Sequence, residues 1–346
     1  MTALETEIRE QPEALRRLLS ADDTVLRDLA TRIGDRTSVH GLLLAARGSS
    51  DNAARYAQYL LGARNRLQVG LATPSLFTRY RRPPRLDGLA VGAISQSGRS
   101  PDVVGVLEEA NRQGRPTFAL TNDPASPLAA AAGAVVDLHA GEEHAVAATK
   151  TYTASLVALA RLSLALDPDS GDAAELALAL DRLTVVIERS LAQVKVPTWL
   201  GEAAALAVVG RGFNYCTAFE AALKLKELTG LAAEPYSSAD LLHGPVAAMS
   251  WRVPALLLAP TGVVAADVLD VADRLRQRGA RLMIVSDDPA ALEQADLPLP
   301  VPAGVPEWLS PLTAIIPAQV LSLRLAQARG LDVDRPSGLQ KVTETR

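Results

Sequence analysis

Glycine and proline landmarks that recur about half a chain apart constrain the fold of this protein more than any other feature. Gly48 and Gly98 are each followed by a glycine 164 residues later, and Gly114 and Pro124 are each followed by the same residue type 165 residues later. The later members of these pairs are Gly212, Gly262, Gly279 and Pro289. Four landmarks in one order at a nearly constant offset are hard to produce by chance, so we predict two copies of one structural unit that arose by duplication.

Within each copy, short apolar segments lead into polar turns, and helix-forming stretches follow the turns. The predicted strands are residues 42–46, 89–94 and 117–120 in the first copy and residues 206–209, 254–258 and 282–285 in the second. A predicted helix at residues 102–113 ends before Gly114, a residue type that commonly follows a helix. This alternation predicts an α/β fold in which each copy is a parallel sheet flanked by helices, of the flavodoxin-like type.

Helices are predicted before, between and after the two sheets. Residues 3–19 carry leucine and isoleucine at helical spacing, residues 150–193 form a long helical stretch that is interrupted near Pro168, and a last helix covers residues 312–329. We therefore expect five segments. They are an N-terminal helical segment at 1–34, a first unit at 35–165, a helical linker at 166–197, a second unit at 198–330 and a C-terminal tail at 331–346.

Composition and charge argue against several classes of protein. Apolar residues make up 48% and charged residues 21% of the chain, as in globular proteins, and the formal net charge of −4 does not provide the basic surface that nucleic-acid binding requires. Cys216 is the only cysteine, and the four histidines lack paired metal-ligand spacing, so we expect no disulfide, metal or cofactor. Apolar runs such as residues 253–260 are too short to span a bilayer, and the acidic N-terminus lacks an apolar signal segment. We therefore expect a cytoplasmic protein that binds neither nucleic acid nor membrane.

The two copies differ in the loop that follows their second predicted strand. The first copy has Ser-Gln-Ser-Gly-Arg-Ser at residues 95–100, whereas the second has Ala-Pro-Thr-Gly-Val-Val at residues 259–264. A fold needs the shared glycine, but only a ligand needs the hydroxyl groups. Ligands of parallel α/β sheets bind beyond the carboxyl ends of the strands, and the N–H groups and dipole of the following helix favour an anion there. The loop therefore predicts a phosphate site in the first copy, since the alternative of helix capping by Ser97 or Ser100 explains only one serine.

Several other segments are ambiguous when each is taken alone. Ser49 and Ser50 lie in a second polar loop at a strand end, but Ser50 could simply cap the next helix. The helical segment from Glu220 to Glu227 is by itself more typical of a solvated helix with charge pairs. His243 precedes a Gly-Pro turn and could be catalytic or structural, and Lys341 by itself is typical of a surface lysine.

Taken together, these segments resemble the sugar isomerase (SIS) family, and in particular the isomerase half of glucosamine-6-phosphate synthase. The resemblance covers nearly the whole length, from residues 7–12 to the tail at 334–341. The segments that carry it are, in order, Gly48-Ser49-Ser50, Ser95-Gln96-Ser97-Gly98, Val146-Ala147-Ala148-Thr149-Lys150, Glu220 to Glu227, and His243-Gly244-Pro245. It implies two tandem SIS units in the chain and a catalytic role for the tail.

The resemblance implies a role for each matching residue. The residues that would bind the phosphate of a hexose 6-phosphate are Ser95, Gln96, Ser97 and Ser100. The residues that would contact the sugar are Ser49, Ser50 and, through its backbone, Val146. Glu227 would move a proton between C1 and C2, because one carboxylate can serve both carbons. His243, supplied by the neighbouring subunit of a homodimer, would assist ring opening, Lys341 would form or assist a Schiff base at C2, and Lys224 would support the open-chain sugar.

Within the family, three departures favour a stand-alone deaminase over the synthase. The chain starts at the isomerase half, so we expect no glutaminase half; Ala148 stands where the synthase has a serine; and Arg99-Ser100-Pro101 differs from the synthase loop. We therefore expect an enzyme that converts glucosamine 6-phosphate to fructose 6-phosphate and ammonia.

Other activities remain open at this point. The alternatives within the enzyme class are an ammonia-dependent, synthase-like isomerase, a deglycase of sugar–amine 6-phosphates, and a galactosamine-6-phosphate deaminase. A phosphosugar sensor without activity is the non-enzymatic alternative. The retained set of Glu227, His243 and Lys341 disfavours a sensor, because binding alone does not need these residues together.

Overall fold

The computed structural model describes residues 1–341, which form two compact units. The first unit consists of Glu13–Glu143 and Lys150–Ala174 together with the tail from Gln340, and the second unit consists of Met1–Pro12, His144–Thr149 and Glu175–Leu339. The end of the predicted tail, residues 342–346, lies outside the described residues.

Five strands form the sheet of the first unit. They are β1 (Gly41–Ala45), β2 (Gln68–Leu71), β3 (Leu89–Ser95), β4 (Thr117–Thr121) and β5 (Val135–Asp137). The helices of this half of the chain are α1 (Ala3–Ser20), α2 (Thr24–Gly34), α3 (Ser49–Asn65), α4 (Pro74–Thr78), α5 (Pro101–Arg112), α6 (Pro127–Ala131) and α7 (Lys150–Leu166).

Five further strands form the sheet of the second unit. They are β6 (Ala205–Gly210), β7 (Ala232–Ser237), β8 (Ala255–Leu258), β9 (Leu282–Ser286) and β10 (Leu297–Pro300). The helices of this half are α8 (Ala173–Gln193), α9 (Thr198–Gly201), α10 (Tyr215–Thr229), α11 (Ser238–Leu242), α12 (Ala265–Gln277), α13 (Pro289–Leu292) and α14 (Ser310–Ala328).

Both sheets are wholly parallel, and their strand orders are equivalent. The order is β2-β1-β3-β4-β5 in the first unit and β7-β6-β8-β9-β10 in the second. In the first sheet, Leu42 of β1 lies beside Val69 of β2 on one side and Ala90 of β3 on the other. The chain order therefore reverses between β1 and β3, and likewise between β6 and β8, which is the kind of switch point where α/β proteins bind ligands. The structure confirms the predicted duplication and the predicted α/β fold.

Helix packing fixes the segments that follow the central strands. Strands β3 and β4 are buried at almost every position, as expected for parallel strands covered on both faces. Val91 of β3 packs in one apolar cluster with Val103 and Leu107 of α5, and Leu257 of β8 packs in an equivalent cluster with Val268 of α12. The starts of α5 and α12 are therefore each held near the carboxyl edge of their own sheet.

Helix α14 is an apolar core helix of the second unit. With the turn before it, the segment Glu307–Ala328 is long and apolar enough to cross a membrane, but 94% of its most apolar window is buried in the structure. Within the described part of the chain, this is the one helix that meets the length and composition test. This helix was not recognised from the sequence, because charged and polar residues interrupt its apolar run.

The predicted strands and helices with stated bounds are confirmed to within two residues, but four strands and the short helices α4, α6, α9, α11 and α13 were not predicted. The four strands, β2, β5, β7 and β10, are the edges of the two sheets. Prolines explain two of the omissions, since Pro235 lies in β7 and Pro298 and Pro300 lie in β10, and proline within a segment argues against a central strand.

Candidate active site

Two polar loops lie at the switch point of the first unit. Because β1 and β3 are neighbouring parallel strands, residues 47–50 and 95–100 follow strand ends at the same edge of the sheet. The two serine-containing segments predicted from the sequence therefore belong to one region of the first unit. This edge is also where the starts of α3 and α5 present their backbone N–H groups.

The loop at residues 95–100 is held in a compact turn. Ser95 is buried, and its Oγ accepts a hydrogen bond from the Gly98 N–H at 3.1 Å. Gly98 has φ +61°, and a Cβ atom there would lie 2.0 Å from Ser126 Oγ. The Gly98 carbonyl accepts a hydrogen bond from the Leu128 N–H at 3.0 Å, which ties the loop to α6. Only glycine satisfies both the backbone and the packing here, which explains the landmark physically.

Gln96, Ser97 and Ser100 are half-buried in this loop. Ser97 Oγ accepts a hydrogen bond from the Arg99 N–H at 3.4 Å, so it bonds within the loop. Ser100 directly precedes α5, but its side chain makes no capping hydrogen bond, and Pro101 follows as the first helical residue. The capping interpretation is therefore wrong for Ser100, whose hydroxyl is not used by the helix.

Ser49 and Ser50 form the first turn of α3. Gly48, with φ +55°, precedes the helix and provides no side-chain cap, and Ser50 lies within the first helical turn, so the alternative of a cap at Ser50 is wrong. The N–H of Ser50 donates to the Arg47 carbonyl at 3.1 Å, and both serine side chains are half-buried. The two hydroxyls lie at the sheet edge that also carries residues 95–100.

Arg47 links the two loops through a carboxylate. Its Nε and Nη2 donate to Asp102 Oδ2 at 2.8 and 2.6 Å. The Asp102 side chain is 3% exposed and lies in the first turn of α5, whereas the Arg47 side chain is half exposed. Neither residue was predicted from the sequence to be functional. The signal that could have found Arg47 is its repeat, because arginine precedes both Gly48 and the matching Gly212.

Lys341 contacts a fully buried carboxylate of the first unit. Its Nζ donates to Glu143 Oε2 at 3.0 Å. The same carboxylate accepts bonds from the Thr151 N–H at 3.2 Å and the Thr151 hydroxyl at 2.7 Å, at the start of α7. The Lys341 side chain is only 24% exposed. The tail lysine is therefore anchored, unlike a solvated surface lysine, and Glu143 is a site residue that the sequence analysis missed.

Val146 lies in an irregular segment of the second unit that a buried glutamate holds. The carboxylate of Glu7, which is 2% exposed, accepts hydrogen bonds from the N–H groups of His144 and Ala145, the latter at 3.2 Å. The backbone just before Val146 is therefore fixed, and Val146 itself is half-buried. This arrangement suits a backbone contact of the kind that the family resemblance implies.

Helix α10 carries three charged groups on one face. Lys224 Nζ lies 2.6 Å from Glu227 Oε2 and 3.4 Å from Glu220 Oε1. Lys224 and Glu220 are 1% and 0% exposed, whereas Glu227 is 22% exposed. The interpretation as a solvated helix is therefore wrong, because a buried ammonium group lies between two carboxylates. Glu227 is the member of the cluster that reaches solvent, and Glu220 is a second buried carboxylate that the sequence analysis did not single out.

The carboxyl end of α10 is fixed by Arg329. Its guanidinium donates to the carbonyls of Thr229 at 3.1 Å and Gly201 at 3.2 Å. Burial lowers the pKa of Arg329 from its ordinary value, although an arginine remains protonated in proteins. The helix that presents Glu227 is thus held at its end as well as along its buried face.

His243 is exposed just after α11. Its backbone N–H donates to the Asp240 carbonyl at 3.1 Å, and Gly244 follows with φ +131°. In the described part of this single chain, no hydrogen bond joins the His243 imidazole to Glu227 or Lys224. The histidine is therefore accessible to a partner or a ligand.

The second unit has a carboxylate of its own at the position equivalent to residues 95–100 of the first unit, the serine loop. Glu307 accepts hydrogen bonds from the N–H groups of Val263 at 3.0 Å and Val264 at 3.4 Å, immediately before α12. A Cβ atom at Gly262 would lie 2.3 Å from Glu307 Cδ, so the glycine makes room for this side chain. The anion site of the second copy is occupied by the protein itself.

An arginine–aspartate pair accompanies this internal anion. Arg211 Nε lies 3.2 Å from Asp267 Oδ2, in the first turn of α12. The pair corresponds to Arg47 and Asp102 of the first unit, although both of its members are partly exposed. The duplication therefore kept a charge pair beside both helix starts.

The predicted site residues fall into two sets. The first unit contains Ser49, Ser50, Ser95, Gln96, Ser97, Ser100 and Lys341, and the second contains Val146, Lys224, Glu227 and His243. Within the first set, the structure brings the two serine loops to one sheet edge. Within the second, it brings Lys224 and Glu227 into contact. Among residues 1–341, no cluster of three histidine, cysteine, aspartate or glutamate side chains is arranged to hold a metal ion.

Comparison with known proteins identifies the family. The SIS domain family matches residues 37–165 and 200–329, one match for each copy of the duplicated sequence. The chain belongs to the SIS domain family. This confirms the resemblance and the two tandem SIS units that the sequence predicted.

Relatives and solved structures refine the comparison. The chain is 36% identical, over 97% of its length, to a glutamine–fructose-6-phosphate aminotransferase (isomerizing) of Gloeobacter violaceus, and it spans 57% of that relative. It superposes on the C-terminal domain of glucosamine-fructose-6-phosphate aminotransferase from Francisella tularensis with a TM-score of 0.86 and 28% identity, covering 96% of this chain and 98% of that one. A glucosamine-6-phosphate deaminase from Thermotoga maritima gives a TM-score of 0.81 at 18% identity, covering 99% and 100% of the two chains, which shows a shared fold alone.

Proposed function

We propose that this protein is a glucosamine-6-phosphate deaminase of the SIS type, which forms fructose 6-phosphate and ammonia. The observation that carries the proposal is the charged cluster of α10. Glu227 is anchored by the buried Lys224 at 2.6 Å, yet 22% of its side chain remains exposed. A carboxylate that is positioned and still accessible suits the base that aldose–ketose chemistry requires.

The substrate phosphate would bind at the serine loop of the first unit. Ser97 and Ser100 lie before α5, whose N-terminal N–H groups and dipole favour an anion. The Ser100 hydroxyl is not used as a helix cap, and Gln96 offers a further neutral donor. Ser49 and Ser50 at the same sheet edge would contact the sugar, as would the backbone at Val146.

The reaction balances with these residues and water alone. His243 would transfer the protons that open the sugar ring. Glu227 would then remove the C2 proton of the open-chain amino sugar and return a proton to C1, which leaves an imine at C2. The Lys341 amine would add to that carbon and expel ammonia, and water would hydrolyse the resulting Schiff base to fructose 6-phosphate and free lysine. Lys224 would hold the carboxylate and support the open-chain sugar.

The proposal includes a homodimer in which His243 acts on the site of the neighbouring subunit. The exposure of His243, and the lack of a hydrogen bond from its ring to the α10 cluster within the described chain, support this arrangement. The test mixes Glu227→Gln and His243→Ala subunits after unfolding and refolding. In a shared site, an equal mixture should recover about a quarter of wild-type activity, since half of the dimers would have one intact site. No recovery would contradict sharing.

The deaminase is favoured over other activities by two sequence departures, and the fold is compatible with it. Ala148 and Arg99-Ser100-Pro101 depart from the synthase pattern. A protein described as a glucosamine-6-phosphate deaminase has the same fold across the whole chain. Neither observation specifies the amino sugar, so the substrate must be identified by assay.

The direct test is a substrate panel that follows ammonia and ketose together. Purified protein would be given the 6-phosphates of glucosamine, galactosamine and sugar–amine adducts, each beside its unphosphorylated form. We expect ammonia and fructose 6-phosphate in equal amounts from glucosamine 6-phosphate, and little from glucosamine. The Glu234→Gln variant, which changes an exposed glutamate of β7, is the matched control for Glu227→Gln. Ammonia release from none of the amino-sugar phosphates would refute the proposal.

A synthase-like isomerase is the second candidate, and the curated relatives favour it. The relative from Gloeobacter violaceus is described as an isomerizing aminotransferase. This activity predicts net formation of glucosamine 6-phosphate from fructose 6-phosphate and ammonium, or interconversion of fructose and glucose 6-phosphates without ammonia. Rates measured in both directions on one preparation would separate it from the deaminase. Tight binding of sugar phosphates without turnover would instead indicate the sensor.

A further inference from the structure

The Arg47–Asp102 pair lies at the start of the helix to which we assign phosphate binding. Arg47 gives two N–H groups to the single oxygen Oδ2, at 2.8 and 2.6 Å. The other oxygen of Asp102 is buried and has no hydrogen-bond partner within residues 1–341. A buried carboxylate with one unpartnered oxygen depends on its counter-ion, because an uncompensated buried charge is costly.

The position of Asp102 creates an electrostatic problem for an anionic ligand. Asp102 is the second residue of α5, so its charge lies in the same helical turn whose N–H groups would face the phosphate. Like charges at close range in a partly buried site repel each other. The serines and Gln96 of the loop are neutral donors, and its one cationic side chain, Arg99, is exposed and pairs with Asp123 at 3.5 Å. Arg47 is therefore the group that removes this repulsion.

The second unit shows the same arrangement with its anion in place. There the Glu307 carboxylate bonds to the N–H groups before α12, and Arg211 pairs with Asp267 in the first turn of that helix at 3.2 Å. An arginine–aspartate pair thus accompanies the equivalent helix start of the second unit, where a carboxylate binds the N–H groups. The first unit has the pair, the loop and the helix start, and its loop carries hydroxyls where the second unit has Ala259 and Val264.

We propose that Arg47 is a positioning residue that enables phosphate binding by neutralising Asp102. The proposal rests on the phosphate site of the proposed function and adds a residue to it. Arg47 acts through Asp102, so the arginine becomes dispensable when the aspartate loses its charge. This distinguishes neutralisation from direct contact between the guanidinium and the phosphate.

The test measures binding and turnover in a double-mutant cycle. Binding of inorganic phosphate and of glucosamine 6-phosphate would be measured by titration calorimetry on wild-type protein, Arg47→Gln, Asp102→Asn and the double variant. We expect Arg47→Gln to raise both dissociation constants about tenfold, and the double variant to return to within about threefold of wild type. In turnover, Arg47→Gln should raise KM with kcat within about twofold of wild type.

Matched variants separate this role from a general effect of charge or folding. Arg211→Gln removes the equivalent arginine of the second unit and should leave the affinity for added phosphate unchanged. Arg47→Lys keeps the charge without the two-pronged geometry and should retain most of the affinity. If Arg47→Gln fails to fold, the effect of Arg47 on phosphate affinity can still be measured in the Asp102→Asn background, because no buried charge is left unpaired there. There, loss of Arg47 should change phosphate affinity by less than about threefold.

The outcomes distinguish this inference from the proposed function. Unchanged phosphate affinity in Arg47→Gln would overturn the inference, and so would a double variant that remains about tenfold weaker, because the arginine would then act directly on the ligand. Failure of wild-type protein to bind phosphate or any hexose 6-phosphate would instead remove the phosphate site, and with it the foundation of the proposed function.

Discussion

At the start of α5 the first unit presents serine hydroxyls, whereas at the start of α12 the second unit presents its own Glu307 carboxylate. The two sheets have equivalent strand orders, and both loops contain a glycine that admits a neighbouring side chain. Duplication therefore produced two helix starts suited to an anion. One of them is filled from within, which leaves the other for a ligand and supports one phosphate site per chain.

The helices that follow the first strand of each unit also differ, but here the polar groups lie in the second unit. At the offset of 164 residues, Glu220 and Lys224 of α10 correspond to Tyr56 and Leu60 of α3, which are both fully buried. The fold is thus satisfied by apolar side chains at these positions. The second unit retains a buried ammonium and a buried carboxylate there at a cost in stability, which is expected when charges serve a function.

The largest expected effect on stability comes from breaking this buried cluster. Lys224→Met removes the buried ammonium group that faces the buried Glu220 carboxylate, and should lower the free energy of unfolding by about 3–5 kcal/mol. Chemical denaturation measures the change. Lys226→Met, at an exposed position of the same helix, should change it by less than about 0.5 kcal/mol.

A double substitution tests whether the charged pair of α10 is needed for the fold or for turnover. The double variant Lys224→Met/Glu220→Leu restores an apolar pair like that of the first unit, and should recover most of the lost stability without restoring turnover. Recovery of turnover together with stability would show that the charges are structural and would break the contrast between the two helices.

The next largest expected effect on stability distinguishes Gly98 from Gly262. Gly98→Ala forces a side chain into a backbone with φ +61° and places its Cβ 2.0 Å from Ser126 Oγ, so it should cost about 2–3 kcal/mol of stability. Gly262→Ala meets the flexible side chain of Glu307 instead, and should cost about 1 kcal/mol as Glu307 moves away. Denaturation curves of both variants give the order, and equal costs would contradict the distinction.

A smaller effect concerns the hydroxyls that distinguish the loops. Ser97→Ala/Ser100→Ala removes two proposed phosphate donors, and should raise KM for glucosamine 6-phosphate about tenfold with little change in kcat. Thr261→Ala, the matched change in the second loop, should leave both constants as in wild type. An equal rise in KM from Thr261→Ala would assign ligand binding to both copies.

The smallest expected effect is at the internal carboxylate. Glu307→Ala releases the N–H groups of Val263 and Val264, and should lower stability by about 1 kcal/mol, as loss of a helix cap does. The KM for glucosamine 6-phosphate should not change. Steady-state kinetics and denaturation on one preparation check both statements, and a raised KM would place Glu307 in the substrate site.

Much of the fold was predictable because duplication repeats its signals. The matched glycines and the strand–turn–helix alternation revealed both units, since a glycine such as Gly98 is required by a positive φ and a close side-chain contact. The edge strands β7 and β10 escaped prediction because their prolines oppose strand assignment locally, while pairing with a neighbouring strand forms them.

The site was predictable only where one segment contains the relevant residues. Serine spacing indicated the loop at 95–100, but the burial of Lys224 could not be read from a stretch that also suits a solvated helix. The contacts of Asp102 with Arg47 and of Glu143 with Lys341 join residues 55 and 198 positions apart, so they arise from the fold rather than from local pattern. Glu307 occupies the helix start after the second loop, residues 259–264, and this contact also could not be predicted without the structure.

In the proposed function, Glu227 performs the chemistry while the serine loop binds the phosphate. The most direct test of these roles measures, for Glu227→Gln, both ammonia release from glucosamine 6-phosphate and binding of that substrate. We expect at least a hundredfold loss of kcat, about the range for general acid–base groups, with the dissociation constant within about threefold of wild type. Turnover at the wild-type rate in the folded variant would contradict the role of Glu227.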